Sequence, residues 1–399
     1  MFYIKCINQL ESVRNKILLS LFASILLFCS CSNQKNTATS RWYHSVNTRY
    51  NIHFNADQAY QDALKAKLTG QEEKFQEMLP IYHAIDTEEP KQNTGGSFDI
   101  VIDKATKAIK LHSIQVKPER DPGKSRNTEY QEWLKQREFN PFLKNSWMLM
   151  AKAEYQNDDY LKAASTFSYV SRLYRTNPDI ETEARLWIAL CYTQMGWSYE
   201  ADNIFYQIEL AGGVPAKNKN VFSGIYANYL IRNKQYEKAI PYLQSAIKSE
   251  GGLQKTRLKY ILAQVYAKLG DREKAYKAFG SVSGMSTPYP YTFNSKIQQA
   301  NFAETRQKPK VISMLKGMSK SSKNKEYLDQ IYFALGNIYL SDNDTVKAIE
   351  NYKLGVEKST RNSYDKAMCQ IQLGDIYFTQ KDYTKAAPCY SEAVGQITK

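Results

Sequence analysis

The stretch "WMLMAKAEYQNDDYLKAASTF", residues 147–167, decides the fold. Two apolar runs with helical spacing flank a polar hinge at 156–159, and small residues stand at Ala151 and Ala163. The same arrangement recurs along the chain. Small residues come in pairs twelve apart: Ala151 and Ala163, Ala189 and Ala201, Ala227 and Ala239, Ala263 and Ala275, Gly336 and Ala348, Gly374 and Ala386. Four residues after each second member sits a bulky side chain: Phe167, Phe205, Leu243, Phe279, Tyr352 and Tyr390. The second members are spaced 38, 38, 36, 73 and 38 residues apart, and 73 is close to two periods. The segment "QKPKVISMLKGM", 307–318, fills that gap with Val311 in the small residue's place.

Two antiparallel helices joined by a tight turn can approach closely only where side chains are small. Bulky residues beside those sites then fill the space between successive pairs. Turn-forming residues fall where this requires: "NDD" at 157–159, Gly196, "NKQ" at 233–235, "GD" at 270–271, "DND" at 342–344 and "QKD" at 380–382. The spacing therefore predicts an all-α solenoid of about seven helix pairs, the fifth degenerate. From about Phe142 to Lys399 the small and aromatic positions resemble the tetratricopeptide repeat (TPR). A period of 36–38 residues implies loops slightly longer than those of the simplest TPR. Phe in place of Ala239 or Ala275 is expected to force its two helices apart.

The N-terminus has a different composition. Lys5, Arg14 and Lys16 precede "ILLSLFASILLF", 17–28, an apolar run too short to span a bilayer and suited to the core of a signal peptide. "CSCSNQKN" follows, and Cys31 after Ser30 resembles the acylated cysteine of a bacterial lipoprotein. A plain secretory leader is the alternative. No acidic run follows Cys31, so the expected location is the periplasmic side of the outer membrane. Cleavage would remove three basic residues and Glu11, lowering the net charge of +14 by two. Cys6 and Cys29 would leave with the leader. Cys191, Cys369 and Cys389 then remain, without zinc or redox spacing, as expected buried thiols or a Cys369–Cys389 bridge.

The expected division is a leader at 1–30, a tether at 31–41, a helical N-terminal region at 42–113, a charged linker at 114–127 and the TPR array at 128–399. The N-terminal region begins irregularly, turns helical after Asn55 as an N-cap, and contains the amphipathic stretch "DIVIDKATKAIKLHSI". Its segments "YHSVNTRYNIHFN", "MLPIYH" and "KATKAIKLHSI", with "REFNPFLKNSWMLMAKAEYQNDDYLKAASTFSYVSRLYR" after them, resemble the TPR lipoproteins of gliding motility and type IX secretion, the PorW/SprE group. That resemblance covers about residues 42–180. It implies a non-enzymatic scaffold for a secretion or gliding machine, held at the membrane by lipid and bound to protein partners. "TFSYVSRLYRTNPDIETEARLWIALCYTQMGWSYEA" is also similar to the TPR lipoprotein of outer-membrane barrel assembly, which keeps that role as an alternative. The chain ends nine residues after Tyr390 without a polar capping helix. A covered last face or a shortened chain is the expected reason.

Residues fit for catalysis are scarce. The four histidines, His44, His53, His83 and His112, all precede the repeats and form no HExxH or Cys/His cluster. No metal, cofactor or small-molecule substrate is expected, and a periplasmic enzyme on a TPR scaffold would need a constellation that the sequence does not offer. Lysines scattered along helices read as solvated faces, not as a nucleic-acid surface. Thirty tyrosines suit recurring half-buried positions, because each joins an apolar ring to a polar tip. What remains is the groove. The residue after each pair's first small position is expected to point into it: Lys152, Leu190, Asn228, Gln264, Asn337 and Asp375. Asn228, Gln264 and Asn337 are expected to face solvent in one line and grip an extended segment. Changing all three to Ala is then expected to weaken binding while sparing the fold.

Overall fold

The computed structural model describes residues 35–70, 73–82, 98–360 and 364–397. The leader 1–30, Cys31 and His83 lie outside the described residues. The described residues are helical without a strand and divide into two compact units. Unit 1 joins Met1–Glu72 with His83–Ile225, and unit 2 joins Glu73–Tyr82 with Tyr226–Lys399.

Unit 1 opens with α1, Ala38–Asn47, capped by the Thr37 hydroxyl accepting from the Ser40 amide. A π-helical turn at Thr48–His53 leads directly into α2, Phe54–Gly70. Two expectations are corrected here. Residues 38–41, expected as part of the tether, are already helical, and Asn55 is no cap, because the helix runs through it. The Asn55 amide instead donates to the carbonyl of Asn51. After α3, Asp99–His112, and α4, Thr128–Leu134, come the repeat helices α5, Leu143–Gln156, α6, Tyr160–Leu173, α7, Pro178–Gln194, and α8, Ser198–Leu210. The apolar faces of α2 and α3 bury Ala56, Tyr60, Ala63 and Val101 against Leu149 and Ala153 of α5, so the N-terminal helices dock on the first pair. The buried Lys67 ammonium secures the end of α2 through the Gln156 carbonyl, at 2.6 Å, and the Asp158 carboxylate, at 3.2 Å.

At the other end of this docking, His44 Nδ1 and His112 Nδ1 lie 2.8 Å apart. Asn140 braces the pair by donating to the His112 carbonyl and the Thr48 hydroxyl. One Nδ1 must donate and the other accept, so both rings cannot be charged at once. Burial lowers both pKa values, and for His112 the neighbouring His44 adds to the effect. The unfolded chain therefore takes up protons first, near pH 6.5. Stability from this pair is complete above that value and is lost progressively as pH falls from there through the lowered folded values. Unit 1 should melt at a lower temperature at pH 5.5 than at pH 7.5, and His112→Gln should shrink the difference. Melting curves of the variant parallel to wild type at both pH values would show that the pair does not report proton uptake.

The array continues with α9, Lys219–Arg232, α10, Tyr236–Ser249, α11, Gly252–Lys268, α12, Arg272–Gly280, α13, Tyr289–Asn301, and α14, Lys308–Ser319. It closes with α15, Leu328–Ser341, α16, Thr345–Lys358, α17, Tyr364–Thr379, and α18, Tyr383–Ile397. Helices α5 to α18 are thus seven consecutive pairs, the number the spacing predicts. A left-handed residue makes the turn in six of them: Asp158, Gly196, Lys234, Gly270, Asn343 and Lys381, with φ between 58° and 76°. Each stands five residues before the second small residue, so turn and contact keep one register. Four of these turns hand on to an aspartate cap. Asp159, Asp271, Asp344 and Asp382 accept from the amide three residues on, at 3.0–3.3 Å. In the last three the lysine there also pairs with the capping carboxylate and holds its pKa below the usual range. The fifth pair has no positive-φ residue between α13 and α14, which is the structural meaning of its degeneracy.

All twelve small positions are buried. Why two of them are glycine follows from the bulky partner. A Cβ on Gly336 would overlap the Tyr352 ring, and one on Gly374 would stand 2.7 Å from Tyr390 Cε1. The repeats combine Ala with Phe or Leu, and Gly with Tyr. Cys191 and Cys369 are buried free thiols and Cys389 is half-buried and free, so no Cys369–Cys389 bridge forms. Among the described residues no helix is long and apolar enough to cross a membrane.

Candidate peptide-binding groove

Helix α11 carries polar residues at Gln254, Arg257, Tyr260 and Gln264, three or four apart and therefore on one side of the helix. Within unit 2 this stripe meets the non-helical segment "EKFQEMLPIY", Glu73–Tyr82. The segment lies within the expected N-terminal region, 42–113, yet it belongs to unit 2. Five of its main-chain groups are met by the stripe. Gln264 Oε1 accepts from the Leu79 amide at 3.0 Å, and its Nε2 donates to the carbonyls of Glu77, at 2.5 Å, and Phe75, at 3.4 Å. The Tyr260 hydroxyl donates to the Phe75 carbonyl, Arg257 Nε to the Pro80 carbonyl, and Gln254 Nε2 to the Ile81 carbonyl, at 3.2, 2.8 and 3.2 Å.

Side chains complete the fit. Phe75, Leu79 and Ile81 are buried, whereas Lys74, Gln76 and Glu77 are exposed. The Phe75 ring meets Tyr260 and Tyr291 edge-on, with centroids 5.2 and 5.0 Å away. The Glu73 carboxylate pairs with the Arg257 guanidinium and accepts from the Tyr291 hydroxyl at 3.1 Å. Arg257 is only 1% exposed, so this charge pair is withdrawn from water. Burial raises the Tyr260 and Tyr291 pKa values, which keeps both hydroxyls as neutral donors.

The expected line of solvent-facing groove residues is corrected in part. Gln264 does grip main chain, but it is 8% exposed, and that main chain is a turn-containing segment of the protein itself. Asn228 is buried too, and its Nδ2 has no hydrogen-bond partner among the described residues. Asn337 is half-buried, and its Oδ1 accepts from the Tyr352 hydroxyl at 2.7 Å. Asp375 is exposed and accepts from Tyr390 in the same way, at 2.8 Å. Lys152, in unit 1, pairs with Glu183 at 2.9 Å and lies over the Trp187 ring, and Leu190 is buried. The three-alanine change would therefore disturb unit 2 as well as any ligand, because Gln264 is part of its packing.

Arg257, Tyr260 and Gln254 escaped the sequence reading. The signal was present: a charged residue among apolar ones on a repeat helix, with Gln264 seven residues further along the same side. Asn337 also borders a cleft of about 750 Å³ with Arg272, Arg306 and Lys308 at its edge, beside the irregular turn of the fifth pair. Among the described residues no group of three or more His, Cys, Asp or Glu could hold a metal ion.

Fold and groove together define a TPR-like, helical-repeat scaffold. The family model of the Tetratricopeptide repeat protein 21 fourth ARM domain matches residues 227–394, so this part of the chain is similar to an armadillo-type helical repeat. Similar solved structures include the human IFIT1 dimer with PPP-AAAA, at 16% identity and a TM-score of 0.32 over 75% of this chain and 69% of that one. Another is BtubC (BKLC) from P. vanneervenii, at 17% identity and a TM-score of 0.22 over 64% of this chain and 80% of that one. No curated protein matches the chain.

Proposed function

We propose that this protein is a non-enzymatic interaction scaffold, anchored through Cys31 on the periplasmic side of the outer membrane and serving a secretion or gliding-motility machine. The observation that carries the binding role is the stripe on α11, whose side chains satisfy the main chain of a non-helical segment. Such a surface recognises protein by its backbone and needs no reactive group. The location rests on the leader-like N-terminus with Ser30–Cys31, and the machine on the opening segments' similarity to gliding and type IX secretion lipoproteins.

The expected result of Cys31→Ala is release from the membrane fraction into the soluble periplasm. Several acyl chains hold a lipoprotein firmly, whereas peripheral contacts of a basic surface weaken with salt. A variant that remains membrane-bound after a high-salt wash would overturn the anchor. Loss of secreted proteins from the culture medium on deleting the gene, restored by wild type, would support the secretion role; unchanged secretion and gliding would remove it.

A further inference from the structure

Segment Glu73–Tyr82 is held as a ligand would be held. A segment needed only as filler could be retained by apolar contact alone. Here Gln254, Arg257, Tyr260 and Gln264 also meet its main chain from Phe75 to Ile81, and Arg257 with Tyr291 receives the Glu73 carboxylate. Main-chain bonds give affinity with little regard to sequence, and pockets for alternate side chains give selectivity. Selectivity in this groove would come from a carboxylate, an aromatic ring two residues on, and aliphatic residues four and six beyond the ring, flanking a proline: Glu73, Phe75, Leu79, Pro80 and Ile81.

We infer that the α11 groove is a peptide-binding site which the chain fills with its own segment 73–82. The external partner is then a protein segment with the same order of acid, aromatic and Leu-Pro-Ile-like residues, and it enters by displacing the internal copy. This rests on the scaffold reading and names the partner chemistry of its groove. The internal copy competes at an effective concentration on the order of 1 mM, so an external peptide binds the intact chain with a reduced apparent affinity. Weakening the internal copy without altering the groove should restore it.

The test uses the full chain purified in detergent and a fluorescein-labelled peptide, EKFQEMLPIY, followed by fluorescence anisotropy. The double variant Phe75→Ala/Leu79→Ala keeps every groove residue and should bind the peptide at least about tenfold more tightly than wild type. Adding Gln264→Ala should remove that gain, and a peptide with Glu73→Lys and Phe75→Ala should not bind. Equal affinity of wild type and a folded double variant would overturn the inference and make 73–82 a structural strap. Should the double variant lose its helical circular dichroism, wild type decides. A peptide with benzoylphenylalanine in place of Phe75 is photolysed with it at about 1 mM. Crosslinks mapped to Gly252–Lys268 support exchange, and their absence overturns it. Peptide binding in detergent is independent of cellular location, so failure here leaves the membrane proposal standing, and failure of the Cys31→Ala test leaves this one.

Discussion

Arg257→Ala should destabilise unit 2 by about 3–5 kcal/mol, as expected when one partner of a buried ion pair is removed. Arg257 is among the largest fully buried side chains of the protein. Its loss takes the counter-charge from the Glu73 carboxylate, 16% exposed, and removes the 2.8 Å donor from the Pro80 carbonyl. At about 2–4 °C per kcal/mol for a unit of this size, the unit 2 melting midpoint should fall by roughly 6–20 °C. Replacing both charges, as in Arg257→Met with Glu73→Met, should cost less than Arg257→Ala alone, because no charge is then stranded. Thermal denaturation of the full chain, followed by circular dichroism, checks the order. A loss below about 1 kcal/mol for Arg257→Ala would mean that water reaches the pair and that segment 73–82 is held chiefly by its apolar side chains.

Ala275→Phe is expected to cost about 3 kcal/mol, the upper part of the usual range for overpacking. Ala275 is fully buried at the second small position of the α11–α12 pair, opposite the equally buried Ala263 of α11. A benzyl group there has no void to enter, so α12 must move away from α11. Because α11 carries the polar stripe, the same variant should loosen segment 73–82 and raise hydrogen exchange at the Leu79 amide. Phe at Lys277, whose side chain is exposed on the same helix, should change stability by less than about 0.5 kcal/mol. An Ala275→Phe melting curve that overlays wild type would remove the close helix contact assigned to this position.

The repeats were legible because each of their signals is local. Alanine or glycine twelve residues apart, a turn residue five before the second of them, and a bulky residue four after it all lie within one helix pair. A pair must satisfy these demands whatever its neighbours are. The coupling of Gly336 with Tyr352, and of Gly374 with Tyr390, was equally present in the sequence but needed the structure to show its reason: the tyrosine ring occupies the volume of the missing Cβ. The N-terminal helix was partly misread for an opposite reason. Asn55 has the chemistry of a cap, yet the π-helical turn at Thr48–His53 carries the chain through it without a break.

The groove residues separate what each level determines. Periodicity alone identified Gln264 as a groove position, because equivalent residues of successive pairs occupy equivalent places. It could not show that segment 73–82, some 190 residues earlier in the chain, lies on that position, since no local pattern records which distant segment will cover a helix face. It could not show either that Asn228 and Gln264 are buried, or that Asn337 and Asp375 are engaged by Tyr352 and Tyr390. The helix pairs, their turns and their close contacts are readable from local sequence, because each depends on residues near one another in the chain. What fills the groove is settled by tertiary contact, because the buried Arg257 meets the Glu73 carboxylate and the Pro80 carbonyl, both far from it in the chain.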